Sequence, residues 1–409
     1  MDRFFNPRSV AIAGASQKAN LGNFVVQNLK SGFDGGIYPI NPNYDTIEGL
    51  PCFASIEAVP GPVDLVIVLV PARFVADVLR SCAAKGVCRV IVESAGFDES
   101  GQDGRSLQQE CNSIAARAGI RLWGPNCMGL VDVQKNYFFT FMHPRIRAEG
   151  LLPGHISLIV QSGMMSAIFL VELARRGIGV AKACSIGNRA DVNECDLLEF
   201  LEEDPDTHVI ALYLESIPEG RRFARLTEQS KKPIVLLKGG QSKAGAVAAM
   251  SHTSSLSGDS RLSSSILANQ GVVMADSVFQ MMDMANTLVH IPQMNPACRI
   301  VVITLSGGAG ILACDALERN GLPIASFSEA TRQKLEKIFP SWMPPSNPID
   351  LFPAVALRGR MAAFMGALNA VMEDDSVDVI VMHVVTGLED AAMPMAELKA
   401  AAEQKKKTI

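Results

Sequence analysis

The chain has 409 residues, more than a single ordinary core accommodates, so two or three domains are expected. Hydrophobic residues make up 48% and charged residues 19%, a balance that suits α/β domains whose parallel strands are buried on both faces. A net charge of -5 argues against nucleic acid as the main partner, and no run reaches the ~18 to 20 apolar residues of a membrane span. The start, MDRFFNPRSVAIAGAS, lacks a basic segment followed by a long apolar one, so no secretory signal is read there. The nine cysteines form no CxxC pair and read as small buried hydrophobes in a reducing cytoplasm. The six histidines form neither HxH nor HExxH, so no metal site is expected.

Residues 1–145 repeat a strand-then-helix rhythm. SVAIAGAS reads as a strand ending in a Gly/Ser turn, with a helix in NLGNFVVQNLKSG closed by glycine. IYPINP, VDLVIVLVP, CRVIVESAGF and RLWGPNCMGL continue the strands, with helices in ARFVADVLRSCAAKG and around SLQQECNSIAARAG. Apolar strands alternating with amphipathic helices predict βαβ units and a parallel sheet. A second series spans 150–292: ISLIVQSG, the helix through MMSAIFLVELARRG, VAKACSIGN, DLLEFLEED, HVIALYLES and PIVLLKGG. Beyond SHTSSLSG (251–258), which reads as an open loop, helical patterns run to VFQMMDMANTLVH. A third series spans 297–409, opening on RIVVITLSGGAG and the helix ILACDALERNG. It ends with the strand DVIVMHVV and a helix in MAELKAAAEQKKK, and the chain is expected to continue past the TI end or to be a fragment.

Four places carry candidate chemistry. In 12-IAGASQKANLG-22 a glycine turn feeds a helix start, whose amides and positive dipole end suit a phosphate. It is not GxGxxG, and the second strand ends IYPINP without the acid that holds a ribose, which argues against a nicotinamide-dependent dehydrogenase. Ser162-Gly163 and 306-SGGAG-310 both sit where strand becomes helix and offer anion nests. Glu215 ends an apolar strand, where it can hold one ring nitrogen of a histidine. His252 lies among small polar residues, its imidazole bare enough to take a phosphoryl group. Taken singly, each also reads as ordinary structure: a tight turn, a solvated glutamate, an exposed loop histidine.

Together these stretches carry a resemblance. IAGAS, 41-NP-42, ESAGF (93–97), GPNCMGL (124–130), QSG (161–163), IGNRADV (186–192), YLES (213–216), KGGQS (238–242), SHTSSLSG, SGGAG and NPIDL (347–351) occur in one order along the chain. In that order the chain resembles the α part of the NDP-forming acyl-CoA synthetases, relatives of succinyl-CoA synthetase. The resemblance implies a Rossmann-like CoA-binding domain over 1–145 and flavodoxin-like ligase-CoA domains over 150–292 and 297–409, the last cut short. It implies that His252 is phosphorylated during turnover and that Glu215 orients it. Ser162, Gly163, Gly307 and Gly308 would cradle the phosphoryl group. Gly14, Ala15, Ser16, Gln17, Asn43, Val92, Glu93 and Ser94 would contact CoA. It further implies synthesis of an acyl-CoA from a carboxylic acid, CoA and ATP, yielding ADP and phosphate. ATP/ADP and Mg2+ would be held mainly by an ATP-grasp β subunit or C-terminal domain outside this chain. A cytoplasmic oligomer, free of nucleic acid and membrane, is expected.

Departures are few. Ser254 and Ser257 replace the commoner Gly and Ala of the histidine loop, and Val160 replaces Ser before QSG. Met164 and Met165 suggest an apolar or bulky acyl chain, or equally core packing. The competing class is a non-catalytic acyl-CoA sensor, as in the related domain fused to protein lysine acetyltransferases. His252 with Glu215 speaks against it.

Overall fold

The computed structural model describes residues 1–148, 150–253, 260–291, 294–384, 400, 402–405 and 407–409. Two compact units form, Met1–Pro292 and Gln293–Ile409.

The first sheet of the larger unit holds β1 (Ser9–Ala13), β2 (Gly36–Ile40), β3 (Leu65–Val68), β4 (Arg89–Val92) and β5 (Arg121–Trp123). Its order is β2-β1-β3-β4-β5, all parallel. Helices α1 (Leu21–Lys30), α2 (Val75–Lys85) and α3 (Gln102–Ala118) make the crossovers. Every residue of β1 and β3 is buried, the pattern that an unbroken apolar run produces in a doubly covered parallel sheet. The helix ends follow sequence signals: Asn20 accepts from the Asn23 N–H at the start of α1, and Gly86 and Gly119 adopt left-handed conformations after α2 and α3.

After β5 the chain changes sheet. The antiparallel hairpin β6 (Leu130–Asp132) and β7 (Tyr137–Phe139) pairs with the second sheet, so residues of the 1–145 segment contribute to both. That sheet continues with β8 (Pro153–Val160), α4 (Gly163–Arg175), β9 (Val180–Ser185), α5 (Glu194–Glu203), β10 (Val209–Leu214), α6 (Gly220–Gln229) and β11 (Ile234–Lys238). Then follow α7 (Lys243–Thr253), α8 (Ser260–Asn269), β12 (Val273–Ala275) and α9 (Val278–His290). Its order is β12-β11-β10-β8-β9-β6-β7.

One continuous apolar cluster runs from Val10 and Ile12 of the first sheet to Ile159 and Leu212 of the second. Trp123 ties the two together: Phe4 and Phe5 pack edge-on at 5.3 and 6.0 Å, and its indole N–H donates to the Ser185 carbonyl at 2.7 Å. Truncating such a residue typically costs ~3–5 kcal/mol. The one buried lysine of β9, Lys182, is satisfied by both oxygens of Asp204 at 2.9 Å. Burial alone would lower its pKa, but the Asp204 bonds and nearby Asp132 outweigh that and raise it.

The smaller unit holds β13 (Ile300–Thr304), α10 (Gly307–Arg319), α11 (Glu329–Glu336), β14 (Ile349–Asp350), α12 (Phe352–Arg358), α13 (Arg360–Met372) and β15 (Val379–His383). Its parallel sheet runs β14-β13-β15, with the apolar face of α13 in the core. The strand and helix at the head of this third series stand where the sequence predicts them. The helix expected in MAELKAAAEQKKK falls largely outside the described residues.

Candidate active site

In the first sheet the chain steps from β1 outward to β2 and then back across to β3. Open α/β sheets bind ligands at such a reversal, beyond the carboxyl ends of the strands. Gly14 occupies it with φ +95, conformational space that a side chain would strain, and a Cβ there would stand 3.0 Å from the Leu69 carbonyl carbon. Gly22 packs still closer, with a Cβ position 2.2 Å from the Gly14 oxygen, so the start of α1 sits directly on the turn. Side chains lock this turn. Asn41 donates to the Ala15 carbonyl at 2.8 Å and Asn23 to the Ser16 carbonyl at 2.9 Å. Ser16 Oγ accepts from the Lys18 N–H at 3.0 Å, and Gln17 Oε1 from the Glu48 N–H at 3.0 Å. A cleft of about 350 Å³ opens here, lined by Gly14, Asn41, Pro42, Asn43, Val70 and Phe74 among others.

A larger cleft, about 560 Å³, is walled by the carboxyl edges of both sheets of the unit. Leu69, Val70, Glu93 and Ser94 enter it from the first sheet, and Ser162, Gly163, Met164 and Glu215 from the second. The second sheet also reverses direction here, because β9 and β10 flank β8 on opposite sides. Ser162-Gly163 follows β8 and Glu215 follows β10, so both stand at the reversal. Ser162 is the N-cap residue of α4 but makes no side-chain capping bond, unlike Asn20 of α1 or Asn193 of α5. The first amides of α4 thus lack the acceptor that a cap supplies, at the positive end of a thirteen-residue helix.

Glu215 is held from behind. Gln161 Oε1 accepts from the Glu215 N–H at 2.8 Å and the Ser216 N–H at 3.3 Å, and the Gln161 N–H donates to the Tyr213 carbonyl at 2.9 Å. Lys238 Nζ donates to the Glu215 carbonyl at 2.6 Å; burial lowers the pKa of this amine, which the charge of Glu215 partly offsets. Arg189 binds the Ser216 carbonyl at 2.9 Å and the Ser216 hydroxyl at 2.8 Å. Burial and the neighbouring Glu215 push the Tyr213 phenol up to about 12. These contacts fix the backbone of the strand end, and the Tyr213 hydroxyl donates to Glu215 Oε1 at 3.5 Å. Asn188 of the IGN segment bonds Glu99 at 2.6 Å. Burial would raise the Glu99 pKa, but that bond and backbone N–H groups at Gly96 and Phe97 hold it below the ordinary value.

The sequence-predicted residues divide accordingly. Glu93, Ser94, Ser162, Gly163 and Glu215 meet in the larger cleft, and Gly14 and Asn43 line the smaller one. Ala15, Ser16 and Gln17 build the turn rather than the cleft wall. Val92 is 1% exposed, its side chain packs in the core, and it lines neither cleft. Met164 lines the cleft, whereas Met165 packs against the core. Gly307 and Gly308 open α10 in the smaller unit, where Ser306 Oγ does cap, accepting from the Ala309 N–H at 3.3 Å. The backbone of His252 lies in the last turn of α7, so the segment read as an open loop begins as helix. Its side chain, and residues 254–259, lie outside the described residues. Gln161, Lys238 and Arg189 stand within QSG, KGGQS and IGNRADV, yet residue type alone does not reveal their bonds to backbone distant in sequence.

Two α/β-sheet modules with clefts at their carboxyl edges, one bearing a glycine turn and the other an uncapped helix start, form an arrangement in which open α/β proteins bind ligands. Residues 8–132 match the CoA binding domain family, and residues 153–288 the succinyl-CoA ligase like flavodoxin domain family. The chain is 34% identical over 385 residues to the alpha subunit of ADP-forming acetate–CoA ligase II of Pyrococcus furiosus, covering 93% of this chain and 81% of that subunit. It is 36% identical over 383 residues to ADP-forming acetate–CoA ligase I of Archaeoglobus fulgidus, covering 93% of this chain but 54% of that protein. Among solved structures, the dinucleotide-forming acetyl-coenzyme A synthetase 1 of Candidatus Korarchaeum cryptofilum, in complex with phosphate and ADP, superposes with a TM-score of 0.85 at 30% identity. That match covers 100% of this chain and 87% of the other. The chain belongs to the ADP-forming acetate–CoA ligase family. It spans about half the length of the Archaeoglobus relative and most of the length of the separate Pyrococcus alpha subunit.

Proposed function

We propose that this chain is the CoA-handling and phosphoryl-relay part of an ADP-forming acyl-CoA synthetase. The observation that carries this is the α4 start, uncapped by its own serine and sharing one cleft with Glu215. Transfer of a phosphoryl group places charge on oxygens that such amides can accept without reorganisation. In the proposed sequence an imidazole nitrogen of His252 takes the γ-phosphoryl group of ATP, releasing ADP. A carboxylate oxygen of the acid then takes it from His252 to give an acyl phosphate. The CoA sulfur attacks the acyl carbon, the carbon–oxygen bond to phosphate breaks, and phosphate leaves.

In this scheme Glu215 accepts from the ring nitrogen of His252 that does not carry phosphorus, raising the nucleophilicity of the other. Ser162-Gly163 stabilises the phosphoryl oxygens, as Gly307-Gly308 is proposed to do at another stage. The Gly14 turn and Asn43 receive the nucleotide end of CoA, and the larger cleft receives its thiol arm and the acyl group. Support for the two-cleft assignment comes from Val70, which lines both. ATP and Mg2+ would be bound by an ATP-grasp subunit or domain. The relatives' names include acetate, 4-hydroxybutyrate and trans-feruloyl ligases, so the family fold accommodates acids of very different size.

The test is release of ADP and phosphate by this chain together with its ATP-binding part, across a panel of carboxylic acids. Release that requires both an acid and CoA is expected. Tight CoA binding with no such release for any acid contradicts the proposal and points to a sensor.

A further inference from the structure

The larger cleft leaves two large apolar side chains open to water. Met164, the second residue of α4, is 68% exposed, and Leu21, the first residue of α1, is 50% exposed. The two helices belong to different sheets, yet both side chains line one cavity, together with Leu69, Val70, Met128 and Phe141. Met128 packs on the α4 start itself: a Cβ on Gly163 would stand 3.0 Å from Met128 Cγ. The Met128 N–H donates to Ser185 Oγ at 2.9 Å, which holds that side chain's backbone in place.

The polar side chains of the same wall are already engaged by the protein. Ser94 Oγ donates to the Val70 carbonyl at 2.6 Å, and the Asn126 amide donates to Asn188 Oδ1 at 3.3 Å. Asn188 in turn donates to Glu99 at 2.6 Å and to Gln108 at 3.1 Å. The two carboxyl oxygens of Glu93 have no hydrogen-bond partner among the described residues, but both are buried. Among side chains and helix ends, the cleft therefore offers a ligand one polar place, the α4 start with Glu215, and an apolar surface around it.

On the functional reading above, the phosphoryl group of an acyl phosphate rests on the α4 amides, and one oxygen joins it to the acyl carbon. The acyl chain then departs from the helix start, where Met164 stands at the second position and Met128 packs on the first. Resting on that reading, we propose that Met164 is a specificity-determining residue which, with Leu21, selects acids whose acyl chain is apolar and longer than that of acetate. Such a chain covers both side chains, and each methylene taken out of water adds to its binding. The flexible thioether of Met164 follows the shape of the chain. A charged or hydroxylated chain gives up its water to a wall whose polar side chains are already paired, and is disfavoured.

The test compares kcat/KM of the assembled synthetase for butyrate and for acetate. The wild type is expected to favour butyrate by about 10-fold or more, from two additional buried methylenes. Met164→Gln, similar in length but polar, should bring the ratio below about threefold, while Met164→Leu, which stays apolar, should retain most of it. Leu21→Gln should lower the ratio in the same direction, and it stands in if thermal melting finds Met164→Gln unfolded. A ratio unchanged in the Gln variants overturns the inference. So does an effect confined to the KM for CoA, which assigns Met164 to the thiol arm, or weakened assembly with the ATP-binding part, which assigns it to that interface. An active wild type that does not favour butyrate sinks this inference alone, whereas a wild type that turns over no acid sinks the functional reading and the inference together.

Discussion

The starts of α4 and α10 are near twins in sequence and differ in chemistry. Each follows a buried apolar strand, and each begins Ser-Gly. At α10 the serine closes its own helix, and a Cβ on Gly307 would stand 2.9 Å from Asp350 Oδ2, so a carboxylate already faces the helix start. At α4 the serine makes no such bond, and the helix start lines a cleft that also holds Glu215. A strand-Ser-Gly-helix pattern therefore specifies a turn. Whether that turn is stabilised internally or held open for an anion depends on the serine rotamer and on the residue supplied by the next strand.

The largest effect should come from the cleft that α4 shares. Glu215→Gln keeps the backbone bonds to Gln161 and Lys238, so the fold should survive while acid-dependent ADP release falls by roughly 100-fold or more. Survival of full activity would make Glu215 a structural residue and erase the contrast between the two helix starts.

A smaller effect separates the serines directly. Ser306→Ala should cost about 1 kcal/mol in the unfolding of the smaller unit, the usual worth of an N-cap. Ser162→Ala should change stability by less than about 0.5 kcal/mol, because no cap is lost. Urea denaturation followed separately for the two units measures both. Equal costs would mean that the serines play one role.

The smallest expected effect is in pH dependence, and it has opposite signs in the two units. Bonds from Arg299 hold Asp378 of the smaller unit down to about 2, so its contribution is present above the unfolded carboxylate pKa and is lost as pH falls from about 4 towards 2. Glu93 of the larger unit is displaced upward by burial, so the native state binds the extra proton and stability falls as pH rises above the unfolded value of about 4.3. Cys127 lies close enough for the Glu93 charge to add to the burial that raises its thiol pKa, and Glu215 lines the same cleft. Glu93→Met should therefore raise the melting temperature more at pH 8 than at pH 5. An equal rise at both would mean that Glu93 is ionised throughout.

Much of this was legible in the residues. The strands β1, β3, β8 and β10 announce themselves as Val/Ile/Leu runs, because doubly covered strands need apolar residues on both faces. Ser162, Gly163 and Glu215 were singled out because strand ends are where open sheets place ligands, and one cleft holds all three. The change of sheet at Leu130 was not legible: strand pairing is nonlocal, and Leu130 pairs with Cys184. Helix α6 escaped notice because GRRFARLTEQ is mostly charged and polar and buries only Phe223 and Thr227, so it lacks the apolar stretch by which the other helices were read. The stretch at His252 read as loop from its serines and threonine, whereas the alanine-rich segment before it carries helix through Thr253. The lack of a bonding partner at Glu93 lay beyond sequence altogether, since it depends on which donors the fold fails to bring near.

The relay through His252 is the central claim, and radiolabelled phosphate tests it most directly. The assembled enzyme, given ATP labelled at the γ-position and no acid, should carry acid-labile, base-stable label on the peptide containing His252, discharged on addition of acid and CoA. Full turnover by His252→Asn, or turnover with no label on that peptide, would contradict the account.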